Sequence, residues 1–411
     1  MNLLINCPQH FERTPDGQVW TNGQFPYSFW TRYHVAFDGV TVLARVRDVP
    51  ELSSQRQTAS GTGVRFLGLP DYTGPRQYAF RVAAVATATR KAVQNGSAIL
   101  LRPPSETTGW VLWHTRKSGR PYGVEVVADP YDVFGPNAVR HPLRPIFRSW
   151  FTRALKRQCA NACAAAYVTE QALQRRYPPG PNALVTHYSD IELPESAFAS
   201  APRRPRQNGM ARIIFVGTLA QLYKAPDALI DAIATCCAEA DVELVIVGSG
   251  RYQLELEQRA KARGLGDRVR FRGQLITPQD VRAELDRADL FVLPSRQEGL
   301  PRAMIEAMAR GLPCIGSNVG GIPELLAAED TVPPNNVPAL ASKIMQVLQQ
   351  PARMQQMSAR NFIKSGRYRD DVLNARRLQF YEFLRNRTED WLKRNPSVSR
   401  SKPMRQLSHA R

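Results

Sequence analysis

At 411 residues the chain is too long for one ordinary hydrophobic core, and two α/β domains are the natural division. Its 43% hydrophobic content suits a globular fold, no apolar run reaches the roughly eighteen residues of a membrane span, and no amino-terminal signal peptide is visible. A formal charge of +19, from 55 Lys and Arg against 36 Asp and Glu, favours anionic partners: nucleic acid, phosphorylated ligands or an anionic membrane face.

In chain order, residues 3–6 read as a first strand. A polar loop over 8–28 follows, carrying Gly17, Trp20 and Gly23, then Phe29 and Trp30, aromatic rings suited either to a sugar face or to core packing. Strands are expected over 40–47 and 64–69. An Ala-rich helix covers 77–94, with Tyr78, Val82, Val85 and Val93 on one stripe that Thr89 interrupts. A strand over 97–101 ends at Arg102, a helix covers 107–115, and a strand over 122–127 ends in Asp129 and Asp132. Strands alternating with helices argue for a largely parallel sheet. Ligands of such sheets bind outside the carboxyl ends of the strands, so Arg102, Asp129 and Asp132 stand at a rim. Asp129 also precedes Pro130, as a turn residue would.

Residues 143–164 form a basic amphipathic helix. Leu143, Ile146, Phe147, Trp150, Phe151 and Leu155 recur at helical spacing, and Arg144, Arg148, Arg153, Lys156 and Arg157 interleave them. Such a helix either lies on an anionic bilayer through its 143–157 face or packs its stripe on the sheet with the charges in water. A short strand over 167–169, a helix over 170–176 and a strand over 183–187 close the first half.

Pro202, Pro205, three arginines and Gly209 mark a linker, after which the alternation restarts. A strand over 211–216 runs into Gly217-Thr218-Leu219, then Lys224-Ala225, and a helix follows over 227–237. A strand over 242–247 ends at Gly248-Ser249-Gly250; after a helix over 252–263, the strand 269–272 ends at Gly273. A helix over 278–288 leads to the most informative stretch, residues 289–325. There the buried strand 290–293 ends at Pro294-Ser295, a polar loop carries Glu298, Gly299 and Leu300, and Pro301 opens a helix that carries Glu306 and stops at Gly311. A strand over 314–316, a Gly320-Gly321 loop and another short helix follow. Two carboxylates at a strand-end rim suit a polyhydroxylated ligand, because each accepts hydrogen bonds from hydroxyl pairs. Helices over 338–349 and 352–362 precede a last one over 368–386.

The run Glu298-Gly-Leu-Pro-Arg-Ala-Met-Ile-Glu306, with its E-x7-E spacing and the later Gly-Gly-Ile-Pro-Glu324, resembles the donor-binding segment of the retaining GT-B glycosyltransferases of the family 4 type. The resemblance is specific over about 211–335 and architectural before that. It implies two Rossmann-like domains facing each other across a cleft. The first (1–200) would bind the acceptor and the second (211–365) the nucleotide-sugar, with a linker at 201–210, a helix at 366–390 crossing back to the first domain, and a basic disordered tail at 391–411. It implies that Glu298 contacts the transferred sugar, Glu306 the ribose hydroxyls and Lys224 the diphosphate, with Gly217, Thr218, Gly248, Gly273, Gly299 and Leu300 around the donor. The family pattern places an arginine where this chain has Thr218, and a glycine where it has Ala225; Arg102 or Arg296 is expected to replace the missing charge. A histidine usual near the reacting centre is replaced by Asp129 or Asp132, of which Asp129 is the preferred catalytic candidate.

The implied activity is retaining transfer of a hexose-type sugar from a nucleotide diphosphate-sugar to a hydroxyl of a glycan or lipid-linked acceptor. No cofactor is expected beyond that donor, and no metal, since neither a His cluster nor a D-x-D motif stands at a suitable strand end. A phosphorylase or a sugar-nucleotide hydrolase would share the donor logic, but a phosphorylase would show a pyridoxal lysine site, which is not found. A non-enzymatic nucleic-acid or membrane-binding protein explains the charge but leaves Glu298, Glu306 and Lys224 unexplained together, and no nucleic-acid module is recognisable. The six cysteines read as reduced core residues, which places the protein in the cytoplasm, with peripheral attachment to the inner membrane face through residues 143–157 as an option.

Overall fold

The computed structural model describes residues 1–396 except 24, 53–55, 95, 136–140 and 207–208. Two sheets are present. The first draws its strands from Asn2–Arg13 to Leu184–His187, and the second from Ala211–Val216 to Thr331–Val332. In the first, seven strands pair in parallel in the order Val64–Leu69, Gly39–Asp48, Asn2–Arg13, Ala98–Leu101, Gly123–Val126, Ala164–Tyr167, Leu184–His187. Two short antiparallel strands, Val19–Thr21 and Gln57–Thr58, extend it beside Asn2–Arg13. The second sheet has six parallel strands in the order Val269–Gly273, Val242–Val247, Ala211–Val216, Leu290–Leu293, Cys314–Ser317, Thr331–Val332. Its strands are near-continuous apolar runs because helices cover both faces; Val242–Val247, Leu290–Leu293 and Cys314–Ser317 are buried throughout.

Several boundaries differ from expectation. The first strand does not stop at Asn6 but continues to Arg13, past a register shift between Asn6 and His10 that accommodates Pro8. The segment Ala164-Ala165-Ala166 is sheet and not helix end: it lies fully buried between two strands, where small side chains leave room for neighbours and tertiary packing overrides alanine's helical preference. Thr89 belongs to the buried stripe of Gly74–Val93, because its hydroxyl donates to the Val85 carbonyl at 2.7 Å and needs no other partner.

The last helix, Asp370–Arg394, crosses back to the first sheet. It buries Leu373, Phe380, Tyr381 and Leu384 there. A Cβ on Gly123 would meet Leu384 Cδ2 at 3.1 Å and Phe380 Cζ at 3.2 Å, so the bare backbone of the central strand admits the helix. The helix takes in residues 391–394 of the expected tail, and 397–411 lie outside the described residues. Within the expected linker, Arg203 is tied down. Its guanidinium donates to the carbonyls of Arg310 at 2.8 Å, Ala288 at 2.7 Å and Leu285 at 3.0 Å.

Among the described residues no helix is long and apolar enough to cross a membrane. All six cysteines are free, four of them buried.

Candidate active site

The strand Ala211–Val216 ends at Gly217, and Lys224 returns over it from a one-turn helix, Leu222–Lys224. A Cβ on Gly217 would lie 2.5 Å from Lys224 Cδ, so only glycine lets the lysine stem lie flat across the strand end. Lys224 Nζ reaches Glu298 Oε1 at 2.5 Å, and the Ser295 hydroxyl donates to the same oxygen at 3.0 Å. Thus two residues far apart in sequence meet at the carboxyl ends of adjacent strands, as the rim rule requires. Ala225 occupies the position where glycine was expected and is left-handed, at φ +54°. That conformation costs a non-glycine residue about 1–2 kcal/mol.

Arg296 holds this loop in place. Its guanidinium grips Asp227 at 2.9 and 2.7 Å, and donates to the Leu222 carbonyl at 2.5 Å and to Asn335 Oδ1 at 2.7 Å, while its backbone N–H donates to the Tyr223 carbonyl at 2.7 Å. Arg296 is therefore a scaffold for the Lys224 loop, not a free cation. Arg102 is equally committed: it is 2% exposed, ion-paired with Glu125, and bonded to Asp190 Oδ2 at 2.6 Å. Both expected substitutes for the arginine missing at Thr218 are thus engaged elsewhere. Thr218 itself is exposed, its hydroxyl accepting from the Ala220 N–H at 3.2 Å.

Gly248 sits at φ +138°, where a Cβ would come within 1.9 Å of the Gly217 carbonyl oxygen; the two strand-end loops close only because no side chain stands between them. Gly273 is also left-handed, its Cβ direction open. Gly299 packs under Val127 of the first sheet's side and accepts from the Gly321 N–H at 2.7 Å. Glu324 crosses between the two halves. Its carboxylate accepts the backbone N–H groups of Glu170, Gln171 and Ala172 at 2.6, 2.9 and 2.6 Å, meeting the unsatisfied donors at the start of Ala172–Arg176.

A cleft of about 490 Å³ lies between the sheets. Leu300, Arg302, Glu306 and Arg282 line it from the second half; Phe29, Arg32, Arg102 and Asp190 line it from the first. Burial raises the Glu306 carboxyl above its usual range, against the pull of Arg302 and Arg282. Burial would raise Asp190 too, but Arg102 and Arg32 outweigh it and hold that carboxyl down at about 2. Asp190 is bonded to Arg32 at 3.2 Å as well as to Arg102.

Asp129 is not brought into the cleft. It caps the short helix Pro130–Val133 by accepting the Tyr131 N–H at 2.9 Å, and its oxygens are further taken by the Tyr177 hydroxyl and the Arg176 guanidinium. It is the turn residue its Asp-Pro context allowed, and Asp132 shares Arg176 with it at 3.3 Å. The acid that does stand in the cleft, Asp190, follows the strand Leu184–His187. The strand-end rule points to it, since Asp190 stands just beyond the carboxyl end of that strand. Trp30 is wholly buried, whereas Phe29 faces the cleft beneath Arg32, whose guanidinium carbon is 4.0 Å from its ring centre. Among the described residues no group of three or more His, Cys, Asp or Glu is gathered as a metal centre would need.

Residues 211–350 match the family described as glycosyl transferases group 1. The chain is a GT-B glycosyltransferase related to that family. The transferase is 25% identical over 325 residues to Protein CapJ of Staphylococcus aureus, an alignment covering 78% of this chain and 80% of CapJ. Its fold is similar to that of a sucrose-phosphate synthase from Thermosynechococcus elongatus, with a TM-score of 0.69 at 18% identity over 94% of this chain and 99% of that one. It is also similar to the Anabaena protein HepE in complex with UDP and glucose, with a TM-score of 0.63 at 17% identity over 92% and 98% of the two chains. The long helix folding back from the end of the transferase is part of that shared GT-B arrangement.

Proposed function

We propose that the transferase moves a hexose-type sugar from a nucleoside diphosphate donor to a hydroxyl of a glycan or lipid-linked acceptor, retaining the anomeric configuration and using no metal ion. The observation that carries this reading is the Lys224–Glu298 pair at the strand-end rim, on the same side as Glu306. A related fold that holds UDP and glucose supports the donor class. Glu298 takes the hydroxyls of the transferred sugar, Glu306 those of the ribose, and Lys224 the diphosphate. Gly217, Thr218, Gly248, Gly273, Gly299 and Leu300 border the donor. Asp190, rather than Asp129, orients the acceptor hydroxyl. The acceptor oxygen forms its bond to the anomeric carbon on the face from which the diphosphate oxygen departs, and its proton passes to that departing oxygen. Catalysis then rests on fixed cations at the leaving group. In domain terms, 1–200 would hold the acceptor, 201–210 the linker, 211–365 the donor and 366–390 the crossing helix. The strand content of the two sheets supports that division.

The test is release of nucleoside diphosphate from a panel of sugar nucleotides, with hydroxyl acceptors added and with chelator present. Release from at least one donor, unchanged by chelator, is expected. No release from any donor would overturn the transferase chemistry, and loss in chelator restored by Mg²⁺ or Mn²⁺ would overturn metal independence.

A membrane contact is favoured by the helix Arg144–Asn161. Only Leu155, Gln158 and Cys159 are buried, and Phe147 and Phe151 pack on Phe134. Ile146 and Trp150 remain 62% and 52% exposed, beside the exposed Arg153, Lys156 and Arg157. Arg148 is spent on Tyr131, donating to its carbonyl at 2.8 Å and stacking on its ring. The expected apolar stripe thus splits into two faces: Phe147, Phe151 and Leu155 pack inward, and Leu143, Ile146 and Trp150 face out. Each exposed basic group contributes roughly 1 kcal/mol at an anionic leaflet. Flotation with anionic but not neutral vesicles at low salt, abolished by charge reversal at Arg153, Lys156 and Arg157, is expected; no anionic binding would remove this contact and leave the sugar-transfer reading standing.

A further inference from the structure

We propose that Arg302, with Arg282 beside it, forms the cationic clamp that receives the donor diphosphate in place of the arginine absent at Thr218. This rests on the donor reading above and adds to it the residues that neutralise the leaving group. The argument begins with charge. Lys224 is matched by Glu298 at 2.5 Å. Arg296 is matched by Asp227, Arg102 by Glu125 and Asp190, and Arg32 by Asp190 and Glu192. Each of these cations, whether it lines the cleft (Arg102, Arg32) or stands outside its lining (Lys224, Arg296), is already matched by a carboxylate.

Arg302 and Arg282 differ from them. Both line the cleft, and neither forms a hydrogen bond or ion pair with any described residue. Arg302 is the first residue of the helix Arg302–Ala309, one turn before Glu306 and on the same face. Its charge acts on Glu306, on Asp190 across the cleft, and on Tyr223, the neighbour of Lys224. Arg282, on the helix Pro278–Arg287, acts on Glu306 from the other side. With the ribose at Glu306 and the sugar at Glu298, the phosphates between them fall in the reach of Arg302. A guanidinium suits that place because its planar fork pairs with two phosphate oxygens at once. Retaining Arg302 for an internal pair with Glu306 is disfavoured: with the basic residue preceding the acid by four, the order is the weaker one, and no such pair is formed. Ribose and phosphate recognition would then share one helix, and Arg302, exposed and committed to no carboxylate, would be free to turn to the phosphates.

The experiment is titration calorimetry of the full chain with UDP, GDP, their nucleosides and inorganic pyrophosphate, comparing wild type, Arg302→Gln, Arg302→Lys and Lys224→Ala, each checked for an unchanged thermal midpoint. Arg302→Gln is expected to weaken the preferred nucleoside diphosphate and pyrophosphate about ten- to hundredfold, as loss of a charge-assisted bond does. The matching nucleoside should change by less than about twofold, and Arg302→Lys should recover part of the loss. If Arg302→Gln binds the diphosphate as wild type does while Lys224→Ala does not, the clamp is wrong and the donor reading stands. If wild type binds none of the nucleotides, the donor reading itself fails. A variant that changes only the acceptor's KM would reassign Arg302 to the acceptor and overturn the clamp.

Discussion

On the side of the second sheet, each polar group of the candidate site stands close in sequence to the strand that positions it: Lys224 after Ala211–Val216, and Glu298 and the cleft-lining Glu306 after Leu290–Leu293. On the side of the first sheet, Asp190 and Arg102 are fixed by a buried hub assembled from distant segments. Glu125 accepts the hydroxyls of Tyr33 at 3.1 Å, Tyr188 at 2.9 Å and Tyr381 at 3.2 Å, together with the Arg102 guanidinium. On the second sheet's side Arg302 and Arg282 stand without a partner among the described residues; on the first sheet's side Arg102 and Arg32 are both spent on carboxylates. The wall whose polar groups are encoded near their strands is thus the one that keeps charge to spare, and the wall assembled from distant segments is the one whose charges are committed.

The largest effect expected from breaking this contrast is at the hub. Glu125→Ala leaves a buried guanidinium short of a partner and three tyrosine hydroxyls without their acceptor, and should cost about 3–5 kcal/mol of stability in urea unfolding. An unchanged midpoint would show that the hub does not hold the wall. On the second sheet's side, Glu298→Gln should lower kcat by about 10²–10³ with the thermal midpoint unmoved; wild-type kcat would remove Glu298 from the site. Glu306→Gln should weaken nucleoside binding about tenfold. Because burial raises the Glu306 pKa, its ionised form is disfavoured by the fold. Its charge therefore costs stability above the folded pKa and ceases to do so as pH falls through that value, so the Gln variant should be slightly more stable at neutral pH. Wild-type nucleoside affinity should fall as pH approaches the ordinary glutamate value of 4.5 from above, and the variant should show no such fall. The smallest effect is at the contact that joins the two walls. Glu324→Gln should weaken the cap on Glu170, Gln171 and Ala172 by about 1 kcal/mol and speed hydrogen exchange at those amides; unchanged exchange would mean the halves are held together by other contacts.

The same contrast governs what could be read from the amino-acid sequence. The strands Val242–Val247 and Leu290–Leu293 follow from apolar runs and strand-end loops, which are short-range patterns; that Lys224 and Glu298 belong to one site comes only with the family resemblance, and their contact spans 74 residues. The crossing of the last helix follows from its length and apolar spacing. An acid before proline, such as Asp129, looks the same in sequence whether it caps a helix or faces a ligand; what engages it here is Arg176 and Tyr177, 47 and 48 residues away. Arg296 and Arg102 looked available because their partners, Asp227 and Glu125, lie 69 and 23 residues distant. Arg302 lies inside the motif itself, where nothing local distinguishes an exposed arginine that borders a cleft from one that faces bulk water.

The hub has a further consequence for how the protein is made. One of the four donors to Glu125, Tyr381, lies 256 residues later in the chain. At about 5–20 residues per second of synthesis, that interval is on the order of 10–50 s. Throughout it the first half leaves the ribosome with a buried carboxylate short of a donor, and with the groove that receives Phe380 and Leu384 uncovered. The half made first is therefore finished last. A fragment ending near residue 200 would stay trapped in that nascent condition, and grafting the closing helix onto it through a short tether is the way to release it.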